Sequence, residues 1–141
     1  MRHVAAVLML VSLVLLVAAY VPQNTFKARL RHPMVLSVKV WALAHVLANG
    51  RLADLILFGA FLVWAVLNFR ASRQRDRQAA ALVADTSLAG QPLASSADPA
   101  ADVAVPSAHQ NGRVILIGVG VWALLLFGGH TWLFGVSPIG Y

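Results

Sequence analysis

Long apolar segments alternate with short polar ones along the chain, and this alternation predicts helices that cross a membrane. The apolar segments cover residues 4–21, 33–48, 52–69 and 114–134. A hydrocarbon core of about 30 Å is crossed by about 20 apolar residues in a helix that rises about 1.5 Å per residue, with interfacial ends making up the remainder. We therefore expect an all-α, polytopic membrane bundle with four transmembrane helices.

The second apolar segment is interrupted by regularly spaced polar groups. Pro33 is a typical first helical residue, and the pair Asn49-Gly50 is a typical stop. At about 100° per residue, side chains at every fourth position share one face of a helix. Four polar or aromatic residues follow this spacing: Ser37, Trp41, His45 and Asn49. We expect this stripe to be buried against the third and fourth segments instead of facing lipid.

The composition agrees with a membrane protein and excludes several kinds of site. Hydrophobic residues make up 60% of the 141 residues and charged residues 11%, whereas charged residues approach about a quarter of a soluble domain. Lysine and arginine outnumber aspartate by 11 to 5, but they flank the apolar segments and form no face for nucleic acid. The chain has no cysteine, so disulfides and thiolate metal sites are excluded.

The basic residues predict the orientation in the membrane. Eight lie in two of the connections: Lys27, Arg29, Arg31, Arg70, Arg73, Arg75, Arg77 and Arg113. The opposite side carries Arg2 and Arg51 alone. Because cytoplasmic connections are enriched in lysine and arginine, both termini of this multi-pass protein are predicted to lie outside, with the two basic connections in the cytoplasm.

The chain divides into three parts by composition. Residues 1–70 hold the first three helices, residues 71–112 form a flexible cytoplasmic linker, and residues 113–141 form the fourth helix with a short outer tail. Residues 71–83 can continue the third helix into the cytoplasm as a basic extension. The short turn at residues 49–52 predicts that the second and third helices form an antiparallel pair.

Three short motifs carry a family resemblance: Arg31-His32-Pro33, the run WALAH at residues 41–45, and Ala48-Asn49-Gly50. With these motifs the chain resembles the NnrU family of bacterial integral membrane proteins. The resemblance implies a role in nitrogen-oxide respiration and distant kinship with the plant zeta-carotene isomerase, a membrane enzyme that contains haem. With the orientation predicted above, it also implies a protein of the bacterial inner membrane with both termini in the periplasm. It also implies further helices ahead of the first one here, so the chain is expected to be N-terminally truncated relative to the family.

Two histidines are the candidates for cofactor or metal binding. The predicted topology places His45 and His130 about one turn from the outer ends of two helices that run in the same direction, and Asn49 lies at the same edge. Neutral imidazoles on facing helices of a bundle can hold haem b. Two single histidines make no motif, so the alternative is that both pack at helix interfaces. The resemblance to the isomerase favours His45 as a ligand.

A second candidate site is the basic group Arg29, Arg31 and His32 ahead of the second helix. Unpaired N–H groups and a positive helix dipole favour an anion there, and we expect an anionic lipid headgroup. An Arg-His-Pro motif also resembles that of the isoprenylcysteine methyltransferases, which bind S-adenosylmethionine. Those enzymes carry glutamates downstream, whereas this chain has none.

These observations leave three functional hypotheses. The first is an accessory or haem-binding factor, the second is a structural membrane subunit without a cofactor, and the third is a membrane methyltransferase. No carboxylate pair, Ser-His-Asp set or phosphate-binding loop supports a hydrolase or a nucleotide-using enzyme, and whether the protein is an enzyme stays open. The expected partners are the lipid bilayer, anionic headgroups and other membrane subunits.

Overall fold

The fold consists of helices joined by short turns. The computed structural model describes residues 2–88 and 107–138, and within these ranges it contains helices and no strand. The all-α prediction is confirmed. In chain order the helices are α1 (Arg2–Tyr20), α2 (Thr25–Leu30), α3 (Pro33–Ala48), α4 (Leu52–Leu88), α5 (Ala108–Leu124), a π-helical turn (Leu125–Gly129) and α6 (His130–Phe134).

Three of the described helices are long and apolar enough to cross a membrane. They are His3–Tyr20 within α1, Leu52–Leu88 and the continuous stretch Ala108–Phe134. The fourth apolar helix, α3, has only 16 residues, because Pro33 begins it and the extended backbone of Asn49 ends it. At about 1.5 Å per residue it reaches about 24 Å, which is shorter than a hydrocarbon core of about 30 Å. The membrane bundle is confirmed. Of the four helices predicted to span it, three have the required length within the described residues, and α3 is shorter.

The helices pack in an order that the sequence did not indicate. The main neighbours of α3 are α1 and α4, and the main neighbour of α5 is α1. The expectation that the α3 stripe packs against the fourth segment is therefore wrong, since α1 takes that place. Ser37 of α3 is buried against α1. The Ser12 hydroxyl of α1 donates a hydrogen bond to the Ser37 main-chain oxygen at 3.0 Å, and the two serine hydroxyl oxygens lie 3.3 Å apart.

A small residue allows α1 and α5 to approach closely. A Cβ atom at Gly118 would lie 2.8 Å from Cγ2 of Val14 and 2.9 Å from its Cα. These separations are shorter than real Cβ contacts, so only glycine fits without a shift of the α1 backbone. One turn later, the Trp122 indole Nε1 donates a hydrogen bond to the Ala6 main-chain oxygen at 2.8 Å. The two contacts fix the position of α5 along α1.

The turn between α1 and α3 contains the short helix α2, which the sequence analysis did not predict. Asn24 is its N-cap, and the side-chain oxygen accepts a hydrogen bond from the Lys27 N–H at 2.8 Å. The Asn24 amide donates to the main-chain oxygens of Ala18, at 2.8 Å, and Val21, at 2.6 Å. Asn24 therefore joins the end of α1 to the start of α2.

Three further hydrogen bonds connect this turn to the start of α5. The Asn111 side chain accepts from the Thr25 N–H and donates to the Thr25 hydroxyl, both at 2.8 Å. The Ser107 N–H donates to the Gln23 main-chain oxygen at 2.9 Å. The beginning of α5 thus lies beside the turn that carries Lys27 and Arg29.

The connection between α4 and α5 is shorter than the linker that the sequence predicts at residues 71–112. Helix α4 continues through the arginine-rich residues as far as Leu88, and α5 already begins at Ala108. The helical extension foreseen for residues 71–83 therefore exists and is longer than expected. Alanine, glutamine and arginine, which dominate residues 70–81, are good helix formers and explain the continuation. The remaining linker residues, 89–106, lie outside the described residues.

Candidate functional site

His45 lies in the last turn of α3 and is held by aromatic neighbours. Its ring centroid is 4.8 Å from that of Trp41, one turn earlier on α3, and 4.5 Å from that of Phe58 on α4. The Nδ1 atom lies 2.9 Å from the Trp41 main-chain oxygen. The Trp41 ring in turn packs edge-on against Phe58 and Phe61. The half-buried imidazole therefore has a defined orientation between α3 and α4.

His130 is positioned by a break in the last helix. The π-helical turn Leu125–Gly129 precedes it, and the helix is kinked at Gly128, whose backbone angles are not helical. Single π-helical turns often occur at functional sites. After α6 the chain reverses at Gly135, which has a positive φ of 70° that suits glycine. This reversal brings the Val136 main-chain oxygen to 2.7 Å from Nδ1 of His130.

The two histidines share one hydrogen-bond arrangement. A main-chain oxygen can only accept, so Nδ1 of His45 and Nδ1 of His130 each carry the proton and donate it. In the neutral ring the other nitrogen, Nε2, then presents a lone pair. Neither Nε2 has a hydrogen-bond partner among the residues that the structure describes. A histidine whose Nδ1–H is bonded to a main-chain oxygen and whose Nε2 is free has the arrangement of a metal ligand.

The structure places the two imidazoles at the same end of the bundle. Helices α3 and α5 both begin beside α2 and both pack on α1, so His45 and His130 lie near the far ends of these helices. The third predicted member, Asn49, ends α3, and its main-chain N–H donates to the His45 main-chain oxygen at 3.0 Å. This bond fixes the backbone of the histidine turn and does not involve the imidazole.

The donor set is too small for a structural zinc site. Within residues 2–88 and 107–138, no three His, Cys, Asp or Glu residues are close enough to hold a metal ion, whereas structural zinc sites use four protein ligands. Haem iron, in contrast, takes its four equatorial ligands from the porphyrin and needs only one or two from the protein. Two imidazoles are therefore enough protein ligands for a haem, although they are too few for a structural zinc ion.

The predicted anion-binding residues lie at the opposite end of α3, where two of them contact an aspartate. His32 Nε2 donates to Asp76 Oδ2 at 3.0 Å, and Arg31 Nη1 lies 3.7 Å from the same oxygen. The Phe69 ring packs edge-on against His32, with 6.4 Å between centroids. Arg29 is exposed on α2 and makes no side-chain contact of this kind within the described residues.

The His32 hydrogen bond affects the acidity of Asp76, which lies on the polar extension of α4 six residues beyond Arg70. This bond, more than the charges of Arg31 and Arg73, holds the pKa of the Asp76 carboxyl below its ordinary value of 3.8. A depressed pKa means that the contact stabilises the fold at pH values above the ordinary pKa of the carboxyl group. The stabilisation is lost as the pH falls through the depressed pKa. The contact is therefore intact at neutral pH.

Sequence reasoning missed two elements of these sites. The Phe58 ring that packs on His45 belongs to an apolar segment in which no position stood out. Asp76 lies 44 residues from His32, so no local pattern connects them. Its only sequence signal is that it is the single acid among the arginines of residues 70–77.

The comparisons with known proteins agree with the motifs. The model of the NnrU protein family matches residues 1–138, which is nearly the whole chain. No curated protein and no solved structure matches it. The matched region includes α3 with its WALAH run, both histidines and the Arg31–His32 pair. The chain belongs to the NnrU family.

Proposed function

We propose that the protein is a haem-binding membrane factor in which His45 and His130 would hold the haem iron. The observation that carries this proposal is the shared state of the two imidazoles. Each donates from Nδ1 to a main-chain oxygen and has no Nε2 partner among the described residues, and both lie at the same end of the bundle.

The surroundings of His45 also suit a porphyrin. Trp41 and Phe58 supply flat apolar surfaces beside the imidazole, and such surfaces pack well against a macrocycle. The Trp41 main-chain oxygen orients the ring and raises the basicity of Nε2. When bound, haem would supply one-electron chemistry and a centre for small diatomic molecules, which agrees with a role in the nitrogen-oxide respiration that the family resemblance implies.

We further propose that the protein lies in the bacterial inner membrane with both termini in the periplasm. The Arg31–Asp76 contact and the Thr25–Asn111 hydrogen bonds place three basic segments at one end of the bundle. An end with this excess of arginine favours the cytoplasmic side. There Arg29, Arg31 and His32 would meet anionic headgroups, each basic residue contributing about 1 kcal/mol near a charged surface.

The absorption spectrum of the protein, purified in detergent from haem-replete cells, tests the haem proposal. We expect a Soret band and a reduced spectrum with sharp α and β bands. His45→Ala should abolish the Soret band, whereas His109→Ala, which changes an exposed histidine at the start of α5, should keep it. Circular dichroism would show that both variants remain helical.

A colourless wild-type protein that stays colourless when haem is added would contradict this proposal. The histidines would then be interface residues, as in the hypothesis of a structural subunit without a cofactor. Equal loss of haem in both variants would also contradict it, because a site that depends on His45 should not respond to His109.

A further inference from the structure

The strongest feature outside the histidine site is a contact between the α2–α3 turn and the extension of α4. Asp76 accepts a hydrogen bond from His32 and pairs with Arg31. The side chains of His32 and Asp76 are each 26% exposed, and that of Arg31 is 61% exposed. We call these three residues the clasp. Solvent and solutes can reach it, so its partners can be exchanged.

The surroundings of the clasp carry more positive than negative charge. The guanidinium groups of Arg31 and Arg73 both act on the single carboxylate of Asp76, which also accepts the His32 hydrogen bond. Lys39 adds a further cation nearby, since its Nζ lies 5.7 Å from the centroid of the Phe69 ring that packs against His32. One carboxylate cannot balance several cations. A phosphate group has more acceptor oxygens and satisfies several basic side chains at once.

The clasp also determines how the extension of α4 is held. The segment from Arg70 to Leu88 has no other ion pair to the rest of the described chain. Helix α4 packs mainly on α3, which begins beside the clasp at Pro33. Loss of the Asp76 contact would therefore detach the extension from the α2–α3 turn while the apolar half of α4 stayed in place.

We propose that Asp76 is an internal competitor for a phosphate group at Arg31 and His32, and that phosphate binding there releases the extension of α4. The proposal rests on the headgroup binding proposed above and adds its consequence. An anionic lipid exchanges places with Asp76, so the position of the extension reports the charge of the cytoplasmic leaflet.

The chain offers a clean way to measure this exchange because it contains no cysteine. Spin labels at Ala28→Cys and Gln78→Cys, both exposed positions, would span the clasp from α2 to the extension. The full-length protein is placed in nanodiscs of phosphatidylcholine alone or with phosphatidylglycerol, and the label distance is measured by pulsed electron paramagnetic resonance. Inorganic phosphate added to phosphatidylcholine nanodiscs separates a free anion from a lipid headgroup.

We expect a short, narrow distance distribution in phosphatidylcholine and a longer, broader one with phosphatidylglycerol. Asp76→Asn should give the long distribution in both lipids and bind phosphatidylglycerol about fivefold more tightly, because the amide carries no charge to compete for Arg31 and His32 and exposed ion pairs are weak. Asp85→Asn, which changes an acid further along α4, should behave like the unmodified chain. A response to inorganic phosphate as large as that to lipid would identify a free anion as the competitor.

Two results would overturn the proposal in distinguishable ways. If phosphatidylglycerol binds in preference to phosphatidylcholine and Arg31→Gln weakens this preference, but the label distance is unchanged, the headgroup site stands and the competition is wrong. If the protein shows no preference for phosphatidylglycerol, headgroup binding fails and the exchange at the clasp fails with it.

Discussion

The Trp122 indole donates a hydrogen bond to the main-chain oxygen of Ala6 at 2.8 Å. Few groups in the apolar part of a membrane protein can form such a bond. This one fixes the rotation of α5 about its own axis and its position along α1. His130 follows about two turns later in the chain. The position of this candidate haem ligand thus depends on a contact between the first and the last long helix.

Trp122→Phe should therefore weaken the α1–α5 interface without changing its shape much. Interhelical hydrogen bonds in membrane bundles are worth about 0.6 kcal/mol on average and up to about 1.7 kcal/mol. We expect a decrease in unfolding free energy within this range, measured by titration with dodecyl sulfate. Trp132→Phe is the matched control, because Trp132 is 85% exposed. Equal effects of the two substitutions would show that the bond to Ala6 contributes nothing.

Gly118 is expected to tolerate substitution much less than Gly120 on the same helix. An alanine Cβ at Gly118 would meet Val14, including its backbone, whereas no atom lies within 4 Å of a Cβ at Gly120. Overpacking of this kind costs about 1–3 kcal/mol, so Gly118→Ala should lower the thermal unfolding temperature in detergent. Gly120→Ala should leave it unchanged or raise it slightly. The packing of α5 on α1 would be wrong if Gly118→Ala were as stable as Gly120→Ala.

The polar stripe of α3 should be protected from reagents that dissolve in lipid. Ser37 is 3% exposed beneath α1, while Leu43 on the same helix is 38% exposed. With no native cysteine in the chain, Ser37→Cys and Leu43→Cys can be compared directly with a lipid-soluble maleimide. We expect Leu43→Cys to be labelled several times faster. Similar rates would mean that α3 is not buried between α1 and α4.

The orientation of the bundle can be tested with reporter fusions. Fusions after residue 25 and after residue 90 should both report the cytoplasm, because both positions adjoin arginine-rich segments. A fusion in the turn at Gly50 should report the periplasm. The opposite pattern at all three positions would invert the topology and place the clasp outside the cell.

Much of the fold follows from the period of apolar residues. Pro33 and Asn49 mark the ends of α3 because each has a direct effect on the backbone, and the basic connections were placed correctly at a common end. The extension of α4 could be foreseen from its helix-forming residues. In each case the cause lies within a few residues of the effect, so the sequence contains the information.

The helix order could not be predicted because it depends on contacts between distant residues. The sequence does not show that Ser12 bonds to Ser37, or that Gly118 packs on Val14. Apolar helices in lipid also have no hydrophobic drive to choose one neighbour over another. The break before His130 is similar, since no pattern of apolar residues indicates the π-helical turn or the kink at Gly128.

The most direct test of the haem proposal is the axial ligation of the purified haem-loaded protein, measured by near-infrared magnetic circular dichroism of the oxidised form. We predict the charge-transfer band of low-spin iron with two imidazole ligands. His130→Gly should shift the spectrum to that of a single-histidine haem, and added imidazole should restore the original band. A wild-type spectrum without bis-imidazole ligation, or one that His130→Gly leaves unchanged, would contradict the assignment of His45 and His130 as the ligand pair.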